Sequence, residues 1–166
     1  MQVIIVRSHI QYRDHRKRSD DLNSDAFATA IDLAQNSSLR TVEFLSLTPD
    51  RLHENPHSWI INTLAQITSQ FICKVVLEVH FYGEHELGRH LEISAALAAL
   101  FAGGNAALSK CSTKLEIIVC TVSDRRSVVD GVIRDRFREK LPDLHNQGRL
   151  EFISRLIDPL WYVLSA

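Results

Sequence analysis

His80 and Cys120 are the residues of this 166-residue chain whose types and setting point most directly to chemistry. His80 stands near the end of the apolar run KVVLEVHFY (74–82), and Cys120 near the end of LEIIVCTV (115–122). A thiol attacks a carbonyl as its thiolate, and an imidazole within hydrogen-bond reach supplies the activation. Gly83, just past the histidine, would let backbone N–H groups approach a developing oxyanion. Glu84, or Asp14 from an earlier loop, are the carboxylates available to orient the imidazole. Each residue also has a plain structural use. A cysteine in a β-branched strand is usually packing, and a histidine at a strand end can bond to backbone.

Chemistry between two residues 40 positions apart requires elements that bring them together. VIIV (3–6) reads as a buried strand, TVEFLSL (41–47) alternates like a strand, and 74–82 and 115–122 are the third and fourth. RLEFIS (149–154) and LWYVL (160–164) supply late strands around Pro159. Between them lie helical patterns. Asn23 or Ser24 caps a helix through Phe27, Ile31 and Ala34. Trp59, Ile60, Leu64, Ile67 and Phe71 mark a second. ISAALAALFAGG follows a polar loop from Gly83 to His90 and closes on Gly103-Gly104. Asp124 or Ser127 starts a last helix, which Pro142 ends. No internal repeat is visible. Strand alternating with helix predicts an α/β fold with a mainly parallel sheet. The expected architecture is a three-layer, Rossmann-like sandwich with helices on both faces, formed by residues 1–166 as one domain. In such sheets reactive groups gather outside the carboxyl ends of the strands. Consecutive strands are often neighbours, which would set His80 beside Cys120.

Bulk properties narrow the function classes. Formal net charge is −1 with 45% apolar and 23% charged residues, which argues against a globally basic nucleic-acid binder. The longest apolar stretch, residues 93–102, falls short of the roughly 20 residues that span a bilayer. No secretory signal opens the chain, and three cysteines are too few for a disulfide framework. A cytoplasmic protein with reduced thiols is expected, acting on neither nucleic acid nor membrane. Eight histidines raise the question of a metal, but His80, His85 and His90 recur every five residues and no H-E-x-x-H or C-x-x-C spacing occurs, so none is expected. Gly103-Gly104 ends a helix instead of opening one, so no phosphate loop is present.

An apolar strand ending in histidine near a glycine, then a helix, then an apolar strand ending in cysteine, resembles the caspase-like cysteine peptidases. In caspases the histidine lies about 50 residues upstream of the cysteine. Within that group the pattern of QVIIV, DAFATAIDLAQ, ELGRHLEISAALAALF and LEIIVC is similar to the self-cleaving cysteine protease domain of large bacterial toxins. The resemblance spans roughly Gln2 to Leu141. It implies a caspase-like fold, a Cys120–His80 dyad, a polypeptide substrate that includes the chain's own polypeptide, and activation by inositol hexakisphosphate. Basic residues for that polyphosphate would be Arg13, Arg16, Lys17 and Arg18, with Arg125 and Arg126 beside the cysteine strand.

Two positions depart from the family. Phe81 follows His80 where the family has glycine, and Val119 precedes Cys120 where it has a small residue. Bulk at either place would crowd the oxyanion site. A second reading therefore stands beside the peptidase: a non-catalytic interaction or regulatory module of caspase-like fold within a larger bacterial protein.

Overall fold

Short runs rich in valine, isoleucine and leucine favour extended backbone that is buried on one or both faces, and five of them form strands among the described residues. The computed structural model describes residues 2–7, 33–47, 58–81, 87–121 and 126–156. The strands are β1 (Gln2–Arg7), β2 (Leu39–Leu47), β3 (Lys74–Phe81), β4 (Lys114–Thr121) and β5 (Leu150–Leu156). Every pairing is parallel, and the spatial order is the chain order, β1-β2-β3-β4-β5. The helices are α1 (Ser58–Ala65), α2 (Leu87–Ala99), α3 (Arg126–Lys140) and the short α4 (Pro142–Asn146). The α/β sandwich around a parallel central sheet is thus the fold of the chain. The expected helix through Phe27 and Ile31, the connection from Pro49 to Pro56 and the segment 160–164 lie outside the described residues.

Strand order decides where the helices go. Parallel neighbours need crossovers, and crossovers are right-handed in nearly all proteins. When each strand is laid down on the same side of its predecessor, same-handed crossovers all fall on one face. The packing follows this rule. Val75, Leu77 and Val79 of β3 and Leu115, Ile117 and Val119 of β4 share one core with Trp59, Ile60 and Leu64 of α1, Leu97 of α2 and Phe137 of α3. The alternate positions Val76, Ile118 and Cys120 form a separate small cluster on the other face. Of the two helical layers expected, the described helices supply the one on the first face. Among the described residues, no helix is long and apolar enough to cross a membrane.

The strands begin at residues 2, 39, 74, 114 and 150, so each strand-and-return unit takes 35 to 40 residues. The sequence shows no internal repeat; the spacing is architectural, each unit pairing only with its neighbours. Buried polar side chains tie one return to the next at the amino ends of the strands. Ser69 Oγ donates to the carbonyls of Ser37 and Leu39, and Thr113 Oγ1 to that of Ile72. Arg149 Nε donates to the Thr113 carbonyl and one of its terminal nitrogens to that of Leu108, while the guanidinium lies 5.3 Å from the Phe101 ring centre. The amide of Asn105 donates to the carbonyls of Leu64, Ala65 and Ile67.

Helix boundaries differ from the sequence expectations in two places. α1 stops at Ala65, so Ile67 and Phe71 are not on it; Phe71 is 60% exposed. The turn-prone Thr68-Ser69-Gln70 intervenes, and Ser69 is spent on the preceding return. α2 begins at Leu87, so His90 belongs to the helix, where it is buried with its ring 4.5 Å from that of Phe81. Beyond Ala99 the helix widens into a π-turn (Leu100–Gly104) closed by Gly103 at φ 141°, a backbone angle that side chains disfavour. On α3, the pairs Arg136–Glu139 and Arg138–Asp135 are spaced i,i+3.

Candidate functional site

β3 and β4 are adjacent and parallel, and His80 is the register partner of Cys120. Because side chains alternate across a pleat, Glu78 and His80 emerge on the same face as Cys120. Cys120 is in turn level with Arg155 of β5. The sheet therefore sets a carboxylate, an imidazole, a thiol and a guanidinium side by side near the carboxyl ends of three strands.

Glu78 organises the group. Its Oε1 lies 3.1 Å from His80 Nε2 and accepts the Ser46 N–H at 3.2 Å, while Oε2 accepts from Arg155 at 3.2 Å. Ser46 reaches it from a place where β2 slips register between Phe44 and Leu47, with Ser46 itself at φ 59°. Irregularities of this kind interrupt the ladder and are common beside active sites. The hydrogen bond from His80 holds the Glu78 carboxyl below the usual range; burial pushes the other way, and the His80, Ser46 and Arg155 contributions outweigh it. One ligand-type atom from each of Glu78, His80 and Cys120 lies within 4.8 Å of the others.

The thiol is the least accessible member. Cys120 is 3% exposed, and burial, followed by the neighbouring Glu78 charge, pushes its pKa up to about 12. Arg155 opposes that rise and Asp130 adds to it. At neutral pH the group is a thiol, and a buried thiol is inert towards carbonyls. Cys73 and Cys111 are both exposed.

His80 and Cys120, the two residues singled out for chemistry, are thus brought together. Glu78 was missed; the signal for it was present, since a residue two before His80 on a strand must share its face. Arg155 was missed because nothing in the sequence says which strand follows β4 in space. Gly83, Glu84, Asp14, Arg13, Arg16, Lys17, Arg18 and Arg125 lie outside the described residues. Arg126 is the first residue of α3. Comparison with protein-family models, curated proteins and solved structures finds no match.

Proposed function

We propose that the chain is a non-catalytic interaction module that binds a polypeptide partner at the exposed margins of the strand face opposite its described helices. The observation that carries this reading is the strictly sequential order of five parallel strands with their described returns on one side. An array built this way leaves one strand face without described helices; the centre of that face is closed, with Val76, Ile118 and Cys120 buried, so the partner would meet its exposed margins. The side chains on that face suit a polypeptide. Lys74 pairs with Glu116, Lys114 with Glu151 and Arg155 with Glu78, so both signs of charge are offered close together. Val3 and Ile5 at one side and Ile153 at the other add exposed apolar area. A polyanion would favour a single-sign surface instead.

The test is recovery of partners from the native source by the full-length protein. A variant carrying Ile5→Glu and Ile153→Glu is compared with one carrying Val132→Glu, which alters an exposed position on α3. The sheet-face variant is expected to lose a specific partner at least tenfold while the helix variant retains it. Equal recovery by both, or loss confined to Val132→Glu, refutes the reading.

A second reading, a caspase-like cysteine peptidase, has one observation in its favour: the in-register meeting of His80 and Cys120 with Glu78 bonded to the imidazole. It would need Cys120 to become exposed and ionised when substrate binds.

A further inference from the structure

The Glu78–His80–Cys120 group has a use that neither reading assigns. We propose that these three side chains form a binding site for a zinc-class divalent cation. The inference goes beyond the interaction reading and stands whether or not that reading holds.

The donor set is the first argument. Thiolate, imidazole and carboxylate together match zinc and similar borderline-soft cations, whereas calcium and magnesium select all-oxygen sets. Geometry is the second. With metal–ligand bonds of about 2.0–2.3 Å, the corners of a tetrahedral site are about 3.3–3.6 Å apart. Glu78 Oε1 and His80 Nε2 already stand 3.1 Å apart, and all three donors lie within 4.8 Å of one another. Side-chain adjustment of about 1 Å at Cys120 closes the third corner.

Rigidity is the third argument. All three ligands project from two central, hydrogen-bonded strands, Glu78 and His80 two apart on β3 and Cys120 directly across from His80 on β4. Sites on strands hold their geometry better than sites on loops. The surroundings also fit: Arg155 and the Ser46 N–H fix the Glu78 carboxylate from outside, as outer partners orient metal ligands. The His80 and Glu78 side chains keep 16% and 14% exposure, so a cation can enter from the sheet face. On binding, the Cys120 S–H gives its proton to solvent and its sulfur bonds to the metal, leaving one coordination position for water. No sequence motif signals the site, because its spacing runs across strands and not along the chain.

The experiment uses the full chain with Cys73→Ser and Cys111→Ser, both exposed positions, so that Cys120 is the sole thiol. Cobalt(II) is added as a spectroscopic probe and zinc(II) as competitor. The expected result is a thiolate-to-cobalt charge-transfer band that saturates at one equivalent and is abolished by one equivalent of zinc. His80→Ala should weaken cobalt binding at least tenfold. Absence of the charge-transfer band in the folded sole-thiol protein overturns the proposal, and so does affinity unchanged by His80→Ala. Because the sole-thiol protein leaves the site intact, the decisive measurement does not depend on a site variant folding.

Discussion

Asn105 offers a direct test of how successive returns are held. Its amide nitrogen donates to the carbonyls of Leu64 at 3.4 Å, Ala65 at 3.1 Å and Ile67 at 3.0 Å. Its side-chain oxygen accepts from the N–H groups of Ala107 at 2.8 Å and Leu108 at 3.0 Å. The residue is 8% exposed. Asn105→Ala removes all five contacts at once. Each buried polar group left unpaired costs about 1–3 kcal/mol. Shifts of the loop and entry of water recover part of that, so the net loss should be about 3 kcal/mol. In a chain of this size 1 kcal/mol moves the melting temperature by about 2–4 °C, so the variant should melt about 6–12 °C lower. Asn105→Asp separates donation from acceptance. It keeps acceptance from the two N–H groups but turns a carboxylate oxygen towards three carbonyls, and should be no more stable than the alanine variant. Urea unfolding followed by circular dichroism measures both. A loss below about 0.5 kcal/mol in Asn105→Ala, the size of an ordinary surface substitution, refutes the claim that this side chain joins the returns. So does an aspartate variant clearly more stable than alanine.

Three further outcomes are expected. A cysteine-directed alkylator should modify exposed Cys73 and Cys111 at least tenfold faster than Cys120, as mass spectrometry of the peptides reads; faster labelling of Cys120 that is lost in His80→Ala would favour the peptidase. In metal-free protein the raised thiol pKa means that the folded state keeps a proton which the unfolded state gives up above its ordinary value of 9.0. Stability should therefore fall between about pH 9 and pH 12, by at most about 1.4 kcal/mol per pH unit, and Cys120→Ala should flatten that slope in urea titrations. Gly104→Ala would place a Cβ 2.8 Å from the Ala99 carbonyl oxygen and should cost about 1–3 kcal/mol; a neutral effect in thermal melts would show that the π-turn yields easily.

The strands were the most legible part of the sequence because their signal is local. LEIIVCTV and KVVLEVHFY fall within one residue of β4 and β3, and the juxtaposition of His80 and Cys120 followed from placing those consecutive strands together. Helix ends were less legible. Phe71 falls at helical spacing from Leu64 by coincidence, and only the fold reveals that Ser69 leaves the helix to bond the carbonyls of Ser37 and Leu39. His90 looked like loop because its neighbours are polar, yet the helix has already begun at Leu87. The state of the thiol was not legible at all. Whether Cys120 is nucleophile or packing depends on how much of the protein encloses it and on a charge from Glu78, and neither quantity is written in a linear spacing. The architectural period was hidden for the opposite reason: it is plain in the strand starts but absent from residue identity, since valine, leucine and isoleucine substitute freely in a core that asks mainly for volume.

The in-order sheet also governs how the molecule responds to force and to change in length. Among the described residues no strand is threaded between two others laid down earlier, so tension applied at one side strips the outermost ribbon before disturbing the next. Mechanical resistance should come in instalments, one for each unit. The same geometry lets a whole unit be duplicated or deleted in evolution with new seams only at its two borders, a freedom denied to sheets whose chain doubles back through the middle.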